Sequence, residues 1–293
     1  MMSINDRTLT LPDTTRIAYR IEGNGPALVL TNGLTTTTTF WKYVRPIWLQ
    51  RHTVVTWDLP GHGNSGPAQS AESATIQAQP RCIASVMSAT GIDRAFQIGW
   101  STGSQVVLET YRQFPELCRG LVMLLGPAGH VLQTARLPLP SGVIHWLLRA
   151  TAPRAFAATF RVVSRTLSHA GGLMLGRRLG LLGAHVSAQD ALSVTRHIAS
   201  VDPLTLQRMA CSSETHDAHA VLGALRVPLL IVAGDRDPFA PSDLVGLPTH
   251  RSAAGSELLR LPEGTHTALL EEPTLIADAV EQFIARALAR GGE

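Results

Sequence analysis

Ser101 lies in the stretch Gly99-Trp100-Ser101-Thr102-Gly103, directly after the apolar run "AFQI" and directly before "SQVVLE". A serine on so tight a strand-to-helix turn needs small residues two places away on either side, where incoming strand and outgoing helix crowd each other. The helix start behind it offers unpaired amides and positive dipole to a developing anion. That is the setting for nucleophilic attack on a carbonyl. A serine hydroxyl is a poor nucleophile, however, until a base takes its proton and a third group orients that base. The chain must therefore also supply a histidine and a carboxylate.

Of eleven histidines, His130, His145, His169, His185 and His197 fall in a helical stretch, where partly exposed or hydrogen-bonded side chains are expected. His266 differs, standing in "LLRLPEGTHTALLEEP" between a strand pattern and a helix pattern. A loop at a strand end can aim a side chain into a site without breaking a ladder. For the acid, the loop after "PLLIVAG" holds Asp235 and Asp237, followed by Pro238 and Pro241. Pattern alone leaves these two aspartates tied.

The elements that must position these groups alternate. "RTLTL" and "RIAYRI" read as an N-terminal hairpin turning at Pro12 and Asp13. "ALVLTNG", "TVVTWD", "AFQIGW", "LVMLLG", "PLLIVAGD" and "ELLRLP" are continuous apolar runs, as strands buried on both faces show. Helical spacing is predicted over 39–50, 79–90, 103–114, 241–249 and 273–290. The alternation implies an α/β fold with a doubly wound, mostly parallel sheet. From 128 to 219 it stops and only helical spacing remains. The expected organisation is therefore a core in two parts, 1–127 and 220–293, interrupted by a helical cap, 128–219. Insertions at strand carboxyl ends overhang the place where open α/β sheets bind ligands, so the expected cap is a lid.

Ser, then Asp, then His, at the ends of successive parallel strands, resembles the α/β-hydrolase fold superfamily over nearly the whole chain. "WDLPGHGNSG" is similar to that family's turn after its fourth strand, in Asp58, Gly61, Gly63 and Ser65. "GDRDPFAP" resembles its acid loop, where the aspartate four residues before the proline is catalytic; the resemblance selects Asp237 over Asp235. "EGTHTALLEEP" resembles its histidine loop. The resemblance implies a Ser101–His266–Asp237 triad, with backbone amides of Leu34 and Thr102 holding the oxyanion. Where the superfamily usually has His-Gly after the third strand, this chain has Asn32-Gly33, similar to the loop of 3-oxoadipate enol-lactonases. Asn32 and Trp100 are candidate pocket residues, although Asn32 can equally hydrogen-bond nearby backbone to shape the turn and Trp100 can equally be an aromatic packed at the strand end. Five threonines follow, Thr35 to Thr39, either lining the pocket or forming a solvated loop.

The resemblance implies hydrolysis of a carboxylic ester or lactone, probed against C–C bond hydrolysis, acyl transfer and perhydrolase chemistry on the same triad. A non-catalytic ligand receptor of the same fold is the reading from another class. Ser101 argues against dehalogenases and epoxide hydrolases, which place Asp at the nucleophile position. No cofactor and no metal are expected. Three scattered cysteines, Cys82, Cys118 and Cys211, fit no disulfide framework or metal spacing and are read as buried free thiols. A net charge of +3 is too mild to suggest a nucleic-acid partner. The N-terminal stretch lacks the apolar core of a signal peptide, and no run reaches membrane-span length, so a cytoplasmic protein is expected. Between 128 and 200, Arg136, Arg149, Arg154, Arg161, Arg165, Arg177, Arg178 and Arg196 face only Asp190. This basic amphipathic pattern suits an anionic or acyl-chain substrate, a membrane surface, or simply solvated helix faces.

Overall fold

The structure, a computed structural model, describes residues 6–136, 139–167, 170–178 and 182–290. Eight strands form one sheet: β1 (Asp6–Thr10), β2 (Arg16–Gly23), β3 (Ala27–Thr31), β4 (Thr53–Trp57), β5 (Ala95–Trp100), β6 (Cys118–Leu124), β7 (Leu229–Gly234) and β8 (Glu257–Leu261). Their order across the sheet is β1-β2-β4-β3-β5-β6-β7-β8. The hairpin β1–β2 and the pair β2–β4 are antiparallel, and every other pairing is parallel.

The continuous apolar runs are explained by burial on both faces. On β3, Leu28 and Leu30 pack to one side with Phe96, Ile98 and Phe283, while Ala27 and Val29 pack to the other with Ile83, Met87 and Val106. Side chains alternate across a strand, so both parities must be apolar where helices cover both faces. The covering helices include α1 (Gln79–Thr90) and α2 (Gly103–Gln113) on one side and the C-terminal helix Pro273–Arg290 on the other.

Between β6 and β7 the described residues form helices and no named strand: α3 (Ser141–Ala150), α4 (Pro153–Leu167), α5 (Ala170–Arg178), α6 (Ala188–Ser200) and α7 (Pro203–Thr215), with shorter turns. The two ends of this helical segment meet. The His130 amide donates to the His216 carbonyl and the Ala218 amide to the Ala128 carbonyl, both at 3.1 Å. The segment thus leaves and re-enters the sheet layer through one narrow neck.

The helix predicted over 39–50 is broken instead into a 3-10 turn, Thr38–Trp41, and a short helix, Arg45–Trp48. Pro46 at the start of the second piece lacks the N–H that a continuous helix would need. Among the described residues no helix is long and apolar enough to cross a membrane. Cys82 and Cys118 are buried free thiols pushed up to about 12 by burial, whereas the free Cys211 is only half-buried.

Candidate active site

The carboxyl ends of β3, β5, β7 and β8 converge on one place, as parallel pairing at matched register requires. Ser101 follows β5 at once and sits at φ 56°, a left-handed conformation that costs a non-glycine residue about 1–2 kcal/mol. It is held there by its own amide, which donates to the Leu124 carbonyl of β6 (2.8 Å). The flanking glycines are a steric necessity. A Cβ at Gly99 would stand 2.2 Å from the Gly103 carbonyl oxygen, and one at Gly103 would stand 2.4 Å from that of Thr31.

His266 lies in the loop after β8, with its Nε2 2.9 Å from Ser101 Oγ and its Nδ1 2.8 Å from Asp237 Oδ2. Asp237 is buried, and its second oxygen accepts the amides of Phe239 (2.8 Å) and Ala240 (3.0 Å). Asp235, tied with it in the sequence, points elsewhere. It accepts from Arg260 Nε (2.7 Å) and from the Ser242 hydroxyl, and the Arg260 hydrogen bond holds its carboxyl below the usual range. The imidazole is packed between Trp100 and Phe239, with ring centroids 4.9 and 4.8 Å away. Trp100 Nε1 also donates to the His266 carbonyl (3.2 Å), so Trp100 supports the histidine loop from beneath.

The loop after β3 passes against the serine. A Cβ at Gly33 would stand 2.8 Å from both Ser101 Cβ and the Trp100 ring, so only glycine brings the following amide of Leu34 this close. No protein acceptor for the amides of Leu34 or Thr102 is found among the described residues. Thr102 is buried at the start of α2, where the first amides of a helix have no intrahelical acceptor and are free to meet an anion. Asn32 is not at a pocket wall. It is fully buried, its Nδ2 donating to the Trp57 carbonyl (3.0 Å) and its Oδ1 accepting from Trp41 Nε1 (2.6 Å). Its side chain ties β3 to β4 and to the 3-10 turn Thr38–Trp41.

Those threonines are not a plain solvated loop: each is tied to a partner, and Thr36, Thr37 and Thr39 border a small cavity. Thr35, at φ 67°, donates its amide to His62 Nε2 (3.1 Å). The Thr36 hydroxyl donates to the Gly33 carbonyl (3.0 Å), and Thr37 caps the 3-10 turn. The Thr38 amide donates to Asp58 Oδ1 (3.2 Å), and Thr39 Oγ1 meets His197 Nε2 of α6 (2.9 Å). Beside this last contact Asp190 accepts from Lys42 and from the Tyr43 hydroxyl, binding α6 to the same loop. A cavity of about 20 Å³, room for one water, separates Thr36, Thr37 and Phe40 from His197 and Leu270. Phe40 in turn packs on Trp100, centroids 4.0 Å apart. The larger surface groove, about 570 Å³ between Thr75, His145 and Cys211, includes none of Ser101, Asp237 and His266 in its lining.

Two supporting features have roles that the sequence pattern does not assign. His62 is fully buried, and burial holds its imidazole down at about 4. Its signal is its place inside "PGHGNSG", a turn whose glycines carry the family resemblance. The second is Glu271, whose Oε1 accepts from the hydroxyls of Thr265 and Thr267 (2.8 Å for Thr267), one on each side of His266. Thr267 Oγ1 also accepts the amide of Gly183 (2.9 Å) from the helical segment. The signal was the pattern Thr-His-Thr followed by Glu-Glu-Pro, in which the first threonine lies six residues before Glu271.

A mostly parallel eight-stranded sheet, with Ser, Asp and His just past the ends of β5, β7 and β8, defines an α/β hydrolase. The chain belongs to that family: the family described as alpha/beta hydrolase fold matches residues 26–273. Among curated relatives, it is 28% identical over 271 residues to a pimeloyl-[acyl-carrier protein] methyl ester esterase of Xylella fastidiosa, covering 90% of this chain and 97% of that protein. It is 25% identical over 275 residues to an uncharacterized protein of Mycobacterium tuberculosis, covering 92% and 78%. Similar solved structures include an esterase from Rhodococcus (TM-score 0.75, 20% identity, 96% of this chain and 99% of that one). An enol-lactonase from Burkholderia xenovorans gives a TM-score of 0.73 at 18% identity, covering 95% and 100%. These structural likenesses bear on the fold.

Proposed function

We propose that this protein is a serine hydrolase that cleaves a carboxylic ester or lactone through an acyl-enzyme. The observation that carries the reading is the continuous chain Ser101 Oγ–His266 Nε2 and His266 Nδ1–Asp237 Oδ2, at 2.9 and 2.8 Å. His266 takes the serine proton as Oγ attacks the carbonyl carbon, and Asp237 stabilises the resulting imidazolium. The developing oxyanion is received by the amides of Leu34 and Thr102 at the start of α2. The imidazolium then returns its proton to the leaving alkoxide. Water, deprotonated by the same His266, releases the acid and restores the serine. Every proton is handled by His266, so the cycle calls on no cofactor. The helical segment 128–219 acts as a cap, joined to the site by His197 on Thr39 and Gly183 on Thr267. The esterase among the curated relatives supports ester hydrolysis over the other chemistries of this fold.

A fluorophosphonate followed by intact-protein mass spectrometry, and then a panel of esters and lactones, tests the reading. One adduct is expected on the wild type, none on Ser101→Ala, and a turnover drop of at least ~10³-fold in that variant. Labelling of another serine would overturn the assignment of Ser101. Labelling of Ser101 without multiple turnover of any ester or lactone would favour a ligand receptor.

A further inference from the structure

The helical segment leaves large apolar side chains in solvent, and it does so in a pattern. On α3, Val143, Trp146 and Leu147 are exposed, Trp146 by 66%, whereas Ile144 and Leu148 on the opposite side are partly covered. The spacing i, i+3, i+4 places the three on one helical face, with Arg149 at its margin. On α4, Val162 is 66% exposed. Arg154, Arg161 and Arg165, seven and four residues apart, share one flank of that helix, opposite no acid. Its other side carries Phe156, Phe160 and Ser164, which are partly or fully covered.

None of these three arginines has a carboxylate partner among the described residues. The only acid between 128 and 200, Asp190, is occupied by Lys42 and Tyr43. Exposed apolar groups on α3, a tryptophan among them and Arg149 at their margin, followed on α4 by three arginines without carboxylate partners, match the interface between water and an anionic bilayer. Arginines meet headgroup charge there, and an indole sits at headgroup depth. A second copy of this chain fits poorly, since a symmetric contact would set arginine against arginine.

We propose that the outer face of α3 and α4 docks this protein on an anionic lipid surface. Docking there is peripheral, because no described helix could span the bilayer.

Four of the five tryptophans, Trp41, Trp48, Trp57 and Trp100, are at most 4% exposed, so Trp146 is the one whose emission reports contact. The test uses the full chain with vesicles of phosphatidylglycerol in phosphatidylcholine, or of phosphatidylcholine alone, at low and high salt. Co-sedimentation and a blue-shifted emission are expected only with the anionic vesicles at low salt. Arg154→Glu, Arg161→Glu and Arg165→Glu together should weaken partition by at least roughly a hundredfold. The triple lysine variant should keep it, and both should hydrolyse a short soluble ester like the wild type. Equal behaviour with both vesicle types, bound or unbound, would overturn the proposal. So would binding to soluble polyglutamate with none to anionic vesicles, which points to an acidic protein. Self-association without lipid that the triple glutamate variant abolishes would overturn it as well.

Discussion

Acid should destabilise this protein through His62 before most of its carboxylates titrate. The side chain is fully buried; its Nδ1 stands 2.9 Å from the Pro60 carbonyl, and its Nε2 accepts the Thr35 amide. An amide can only donate, so Nε2 carries no proton and Nδ1–H donates to Pro60. The neutral ring is thus required twice, by burial and by Thr35. Burial places the folded value at about 4, against about 6.5 in an unfolded chain. As pH falls through 6.5 the unfolded chain takes up this proton first, so stability declines from there down to about pH 4. A gap of about 2.5 units corresponds to about 3 kcal/mol, a sizeable part of the 5–15 kcal/mol typical of a folded protein. Above pH 6.5 His62 contributes no slope.

Urea unfolding followed by circular dichroism at pH 7, 5.5 and 4 isolates the effect when wild type is compared with His62→Gln. Glutamine offers a donor and an acceptor but has no proton to gain. The variant should be less stable at pH 7, and its deficit should shrink by about 3 kcal/mol by pH 4. Carboxylates common to both proteins cancel in the difference. Among them is Glu109: burial pushes it up, but hydrogen bonds from His216, Gln113 and Arg112 outweigh that and hold it at about 2. Its stabilisation is present above about 4.5 and is lost only as pH falls towards 2. A deficit that stays constant from pH 7 to 4 would refute the buried neutral imidazole. It would also mean that His62 Nε2 does not hold the Thr35 amide, and with it the loop that carries Leu34.

Asp237→Asn should lower kcat by roughly 10³–10⁴-fold, whereas Asp235→Asn, which loses a half-exposed ion pair with Arg260, should cost little in steady-state rates. Gly33→Ala, forcing a methyl against Ser101 and Trp100, should reduce kcat by about 10²–10³-fold, the loss typical of one oxyanion donor. Intact circular dichroism with unaltered kcat would show that the loop can yield. Glu271→Ala should lower kcat more than it raises KM, because Thr265 and Thr267 lose their common acceptor beside His266. Glu271→Gln should recover most of the rate, and an equal loss in both variants would exclude hydrogen bonding as the cause.

The sheet was legible because its strands are covered on both faces. Burial forces both parities of "ALVL" and "AFQIGW" to be apolar, and such runs stand out against turns. The helices Gln79–Thr90 and Pro273–Arg290 were legible from their period; the stretch 39–50 was not, because Pro46 and side-chain bonding by threonine override it. Ser101, His266 and the aspartate loop could be located because each must sit at a strand end. What one-dimensional pattern could not separate was Asp235 from Asp237. That difference is set by which carboxylate the Phe239 and Ala240 amides turn inward and which one Arg260 draws to the surface. Asn32 and His62 were obscured for a related reason. Their partners, Trp57 and Trp41 in one case and Thr35 in the other, are distant in sequence or unremarkable in type.

The threonine run shows why composition misleads at such a place. A loop beside Ser101 must hold Leu34 in position, turn sharply at Thr35 and connect to both the sheet and the helical segment. Each demand is for a short side chain that bonds locally or for a backbone amide aimed outward, and threonine meets both without filling space. Its hydroxyls serve Gly33 and the 3-10 cap. Its amides reach His62 and Asp58, and the last hydroxyl reaches His197. Asp58 is raised by burial and accepts from Asn64 as well, so the turn carrying His62 and the threonine loop share one carboxylate. Five like residues therefore make five unlike contacts. The repetition lies in the chemistry each position needs, and the specificity lies in partners contributed by the loop itself and by two other segments of the chain.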